Sequence, residues 1–80
     1  MKSSNRPVSL TGVNRKWWDS YKQDIKQAMR TRADIFDEYE TRAINNIFIL
    51  ENDQVLFGEP FQPSRKQFNF IRDMAEKARR

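Results

Sequence analysis

A chain of eighty residues with no cysteine has only a small hydrophobic core with which to hold a fold. At this length roughly 60–65% of the surface exposed by the unfolded chain is buried, and the net stability is about 5 kcal/mol. Such a chain supports one domain at most. The absence of cysteine fits a reducing compartment, the cytoplasm. Histidine is absent as well, which removes the usual ligand sets of zinc, haem and iron–sulfur centres. No cofactor is expected, since the remaining carboxylates suit only Mg²⁺ or Ca²⁺. A Ser–His pairing cannot form, and the two glycines, Gly12 and Gly58, stand alone rather than in a phosphate-cradling loop. What remains is a non-enzymatic binding protein.

The start, Met1-Lys2-Ser3-Ser4-Asn5-Arg6, lacks the apolar stretch of a secretory signal. The longest purely apolar run is Ile47–Leu50, far short of the ~20 residues of a membrane span. No membrane partner is therefore expected. An aromatic content of 12% argues for a folded chain, because aromatics supply large core area per residue.

Charge is segregated along the chain. Residues 1–33 sum to +6, residues 34–60 to −6 and residues 61–80 to +4. Two basic ends flank an acidic middle. If the ends converge they make a basic face, and otherwise they neutralise the middle within the fold.

Residues 1–13 read as an N-terminal arm, broken by Pro7 and Gly12. Residues 14–80 read as a single helix–hairpin–helix domain. Asn14 is placed to cap a helix whose apolar residues recur at Trp18, Tyr21, Ile25, Ala28 and Met29. The pattern resumes at Ile35, Phe36, Tyr39, Ala43 and Ile44, as one long helix or two, with Thr31 and Asp34 as a weak capping box at the join. Asn45-Asn46 is expected to end it. Ile47–Leu50 and Val55–Phe57 then flank Glu51-Asn52-Asp53-Gln54 as a β-hairpin. Ser64 caps a last helix from Arg65 to about Lys77, with Phe68, Ile71, Met74, Ala75 and Ala78 on its apolar face. The expected fold class is α+β. Its single small core is expected to hold Trp18, Tyr21, Ile25, Met29, Phe36, Tyr39, Phe48, Leu50, Val55, Phe57, Phe68, Ile71 and Met74.

With Asn52-Asp53 as the turn, Phe48, Leu50, Val55 and Phe57 share one face of the hairpin and Ile47, Ile49 and Leu56 the other. Both faces are apolar, yet a two-layer domain buries only one face of a sheet. A second copy of the chain, another partner or the arm must cover the remainder, and a homodimer is one expectation.

Two sets of candidate binding residues follow. Arg15, Lys22, Lys26 and Arg30 fall on one side of the first helix, widened by Lys16 and Arg32, and such a row can track phosphates without reading bases. Arg65 and Arg72, seven residues apart, add cations on the last helix. The partner-binding set is Trp17, Ile47, Ile49, Leu56 and Phe70. Trp17 joins it because Trp17 and Trp18 point about 100° apart, so only one can face a narrow core stripe. Asp34, Asp37 and Glu38 share a helix face but have no base or lysine placed for metal-assisted chemistry, and no metal site is expected.

The closing helix opens Ser64-Arg65-Lys66-Gln67 and continues Ile71-Arg72-Asp73-Met74-Ala75-Glu76-Lys77. It resembles terminal helices of phage and bacterial DNA-processing proteins, although it lacks their closing glycine. In size and composition the chain is similar to small accessory proteins of phages and mobile elements. With the basic row on the first helix, the expectation is an accessory factor of this kind that contacts nucleic acid non-specifically through a basic helix face. The alternative is a modulator of another protein, acting through exposed aromatics and the hairpin.

Overall fold

The computed structural model describes residues 7–80, so the first six residues of the expected arm lie outside the described residues. Three helices make up the fold: α1, Gly12–Thr31; α2, Glu38–Leu56; and α3, Arg65–Arg79. A 3₁₀ turn, Ala33–Ile35, links α1 to α2. Among the described residues no strand forms beyond one isolated antiparallel bridge, Pro7 to Ser64, where Val8 N–H donates to the Pro63 carbonyl at 2.6 Å. The fold is all-α, and the expected α+β architecture with its hairpin is corrected.

The hairpin segment is the C-terminal half of α2. Its short apolar runs carry no period of their own that separates strand from helix. Two features decide the matter. Nothing between Asp37 and Gly58 breaks a helix, and an inward stripe Ile44, Ile47, Glu51 continues at helical spacing through the supposed turn. Asn45, Asn46, Asn52 and Asp53 keep ordinary backbone, because no non-glycine residue among those described has positive φ. The start is fixed by Asp37, whose carboxylate accepts from Glu40 N–H at 2.7 Å while Glu40 reaches back to Asp37 N–H at 3.0 Å. Thr31 and Asp34, expected as that box, instead flank the α1–α2 joint. Gly58 ends α2 at φ 78°. Its N–H donates to the Val55 carbonyl and Glu59 N–H to the Gln54 carbonyl, which is the bond pattern of a Schellman stop.

α1 begins at Gly12, two residues before the expected cap Asn14, whose side chain instead donates to the Ser9 carbonyl. Ser64 caps α3 in a reciprocal box with Gln67. α1 and α3 run parallel: Trp18 stacks on Phe68 at 5.7 Å near their starts, and Arg32 donates to the Ala78 and Arg80 carbonyls at their ends. α2 runs antiparallel to both, with Lys22 paired to Glu51, Lys26 over Phe48, and Lys77 paired to Glu40.

The core holds Trp18, Tyr21, Ile25, Ala28, Phe36, Ile44, Ile47, Phe61, Ile71, Met74, Ala75 and Ala78. Leu10 of the arm, Met29, Phe48 and Phe68 pack at its edge. Tyr39, Leu50, Val55 and Phe57, expected inside, are exposed. Helical winding turns Tyr39 and Leu50 away from the direction of Ile44 and Ile47. Phe57 lies past the last turn of α2, and Val55, although it keeps the direction of Ile44, is exposed in that last turn. Among the described residues no helix is long and apolar enough to cross a membrane.

Candidate nucleic-acid interface

The cations expected to form one row are divided by the packing of α1 between α2 and α3. Lys22 is consumed: it donates to both carboxylate oxygens of buried Glu51, at 2.9 and 3.0 Å. Lys26 lies over the Phe48 ring, 5.6 Å from its centroid. Arg15 pairs with Asp19 one turn on, at 3.4 Å. Arg32 is spent on the last carbonyls of α3, where a cation complements the helix dipole. Arg30 stands exposed near the end of α1. Lys22 and Arg32 are thus removed from the phosphate-tracking set, because helix packing gives each an internal acceptor.

The partner-binding set is divided too. Ile47 is buried and Phe70 half-buried against the core, whereas Ile49 and Leu56 are exposed on α2. Ile47 and Ile49 would share a face in a strand; in a helix two positions apart they point about 200° apart.

Lys16, Trp17, Arg72 and Arg79 come together instead. A groove between α1 and α3 is lined by Lys16, Trp17, Ser20 and Tyr21 on one side and Arg72, Ala75, Glu76 and Arg79 on the other. The parallel course of the two helices, pinned by Trp18 between Phe61 and Phe68, holds these side chains across from each other. Trp17 is 52% exposed and stands edge-on to Tyr21, with ring centroids 6.1 Å apart. Arg79 Nε sits 2.7 Å from Asp24 Oδ2, which holds the guanidinium at the groove wall. Arg72 has only a long 3.6 Å approach to neighbouring Asp73. Burial raises the Tyr21 pKa above 10.0; Arg72 and Arg79 pull it back down and Glu76 pushes it up. The phenol therefore registers the charges that line the groove.

The shared N-terminal end of α1 and α3 adds to the positive field. Neither helix has an acid in its first turn, so neither dipole is neutralised there. Arg65 and Lys66 occupy the first two positions of α3 and are exposed. Arg79 was missed in the sequence as a site residue, although its seven-residue spacing from Arg72 is visible. Phe61, which closes the core behind Trp18, gave one signal, an aromatic between Pro60 and Pro63. Among the described residues no group of three acidic side chains is placed to hold a metal ion. Asp37, one of the acids weighed for that role, is the α2 cap.

Comparison with family models, with curated proteins and with solved structures returned no match to this chain.

Proposed function

We propose that the protein binds nucleic acid, single strands in preference to duplex, through the α1–α3 groove. The observation that carries this reading is a half-exposed tryptophan, Trp17, set in one groove with Lys16, Arg72 and Arg79. Cations neutralise phosphates and release counterions, which supplies affinity without sequence preference. An exposed indole offers a stacking surface to any unpaired base. The excess of basic over acidic side chains, +4 overall, adds long-range attraction. No side chain in the groove is arranged to read base edges in a duplex, so sequence discrimination is expected to be weak. The place of action on this reading is the cytoplasm, where nucleic acid is reached without crossing a membrane and a cysteine-free chain is at home.

Fluorescence titration with a labelled oligothymidylate is the test. With Lys16, Arg65 and Arg72 each meeting a phosphate and Arg79 held by Asp24, the log–log salt slope is about −2 on a single strand. Trp18 is buried, so indole quenching on binding is expected to vanish in Trp17→Phe. Arg72→Glu is expected to weaken all sequences alike, whereas Arg30→Glu, outside the groove, has a small effect. No retention at micromolar protein in about 50 mM salt overturns the reading, because the counterion term is large there.

A further inference from the structure

We propose that α2 is the dimerisation helix of this protein, pairing antiparallel with α2 of a second copy. The inference rests on residues outside the α1–α3 groove and stands independently of it.

The outer face of α2 carries Tyr39, Arg42, Asn46, Ile49, Asp53 and Leu56, at alternating three- and four-residue spacing, and all six are exposed. That spacing is the seam of a helix pair packed with ridges in grooves at a shallow angle. Tyr39 is 75% exposed, Ile49 57%, Leu56 76% and the adjoining Phe57 83%. A helix with apolar residues on its inner and outer faces is one expected to be buried on both. No other described element covers the outer one.

The order of residues along the seam selects the occupant. Arg42 and Asp53 are the seam's two charges and are opposite in sign. A two-fold axis between Ile47 and Phe48 sets Arg42 against Asp53 of the second copy. The same axis sets Tyr39 against Leu56 and Asn46 against Ile49. One register therefore makes the Arg42–Asp53 ion pair and the Tyr39–Leu56 contact, each twice, and leaves the Asn46 amide beside Ile49 near the axis. A parallel pairing would place Arg42 against Arg42 and Asp53 against Asp53. The face is thus complementary to itself in one direction only, as a two-fold interface requires. Arg42 already touches Glu38 one turn back at 3.2 Å, an exposed pair free to share its cation.

The area is sufficient. Tyr39, Ile49 and Leu56 of the seam, with Leu50 and Phe57 at its margin, together expose roughly 600–700 Å² per copy, so a pair that covered them completely would bury about 1,300 Å², the lower range of specific interfaces. Between residues 43 and 58 the only charges are Glu51, turned inward to Lys22, and Asp53. Depletion of charge with retained aromatics is the compositional mark of an interface core.

Sedimentation equilibrium without nucleic acid, over roughly 1–100 µM protein, tests the proposal in the range expected of an interface this size. The mass is expected to rise from 9.6 kDa toward twice that value. Ile49→Lys is expected to abolish the rise while leaving the helical circular dichroism unchanged, since Ile49 is outside the core. Arg42→Asp alone sets like charges opposite each other twice and is expected to weaken association about tenfold. Adding Asp53→Arg to it is expected to restore the dimer. A wild-type mass of 9.6 kDa throughout, an Ile49→Lys variant that still dimerises, or a charge swap that fails to restore association would each overturn the proposal.

Discussion

Lys22 and Glu51, 29 residues apart in the chain, make the only two-bond ion pair among the described residues, and with Lys26 over Phe48 it ties α1 to the distal half of α2. Both side chains are largely withdrawn from water, so removing either partner strands the other. Glu51→Ala and Lys22→Ala are each expected to cost about 2 kcal/mol in urea unfolding. The double variant is expected to cost clearly less than their sum, because neither charge is then left unpaired. Strict additivity would show that the pair contributes no coupling.

Tyr21 makes stability fall at high pH. Its folded pKa lies above 10.0, chiefly because burial disfavours the phenolate. A raised folded pKa means that the contribution is complete below the unfolded value and is lost as pH rises through the folded one. Unfolding free energy is therefore expected to decline above about pH 10. Tyr21→Phe is expected to flatten part of that decline. Equal slopes in the two proteins between about pH 9 and about pH 11 would rule this out.

Trp18 is 0% exposed, and its indole Nε1 has no hydrogen-bond partner. An unmet buried donor costs about 1–3 kcal/mol. Trp18→Phe removes that cost but leaves a small cavity worth about 1 kcal/mol and loses some apolar area. The two effects nearly cancel, so a change within about 1 kcal/mol is expected on thermal unfolding. Trp18→Ala, with a cost of about 3–5 kcal/mol, is expected to unfold a domain whose whole stability is of that size.

The first and last helices were legible because each has one narrow apolar stripe, and α3 has a plain start at Ser64. Trp18, Tyr21 and Ile25 on α1, and Ile71 and Met74 on α3 behind the Ser64 cap, sit where periodicity puts them. α2 was not legible past Ile44. Its apolar residues point in nearly every direction, so a four-residue run reads equally well as strand. Glu51, the residue that continues the inner stripe, looks like a turn residue until its partner Lys22 is known. Helical periodicity also hid the groove. Trp17, Lys16, Arg72 and Arg79 belong to two helices whose relative direction is set by tertiary packing rather than by any local pattern. The cations nearest the core on α1 were the easiest to see as a row and the first to be taken up by α2.

Gly58 tests the corrected course of the chain. It ends α2 at φ 78°, and a Cβ there would meet no atom within 4 Å. The penalty of Gly58→Ala is then backbone strain alone, about 1 kcal/mol in urea unfolding. Gly58→Asn, which tolerates this backbone better, is expected to cost less. Amide chemical shifts of residues 47–56 are expected to be helical throughout.

The start of α3 is expected to trade stability for binding. Arg65 and Lys66 sit at its first two positions, where the helix dipole presents positive charge. A cation there is unfavourable, and replacing it with an acid is typically worth about 0.3–1 kcal/mol at low salt. Arg65→Glu is therefore expected to raise the unfolding midpoint. The Ser64–Gln67 box remains in place because it uses neither residue. On the proposed function the same change removes one phosphate contact. It is expected to weaken oligonucleotide binding and to make the salt slope shallower by about 1. Lys66→Glu controls for the dipole: Lys66 points about 120° around α3 from Arg72, so it is expected to stabilise with a smaller loss of affinity. If Arg65→Glu stabilises the fold and leaves binding and its salt slope untouched, Arg65 lies outside the interface. The site then contracts to Lys16, Trp17, Arg72 and Arg79. If Arg65→Glu destabilises the fold, the dipole account of this helix end is wrong.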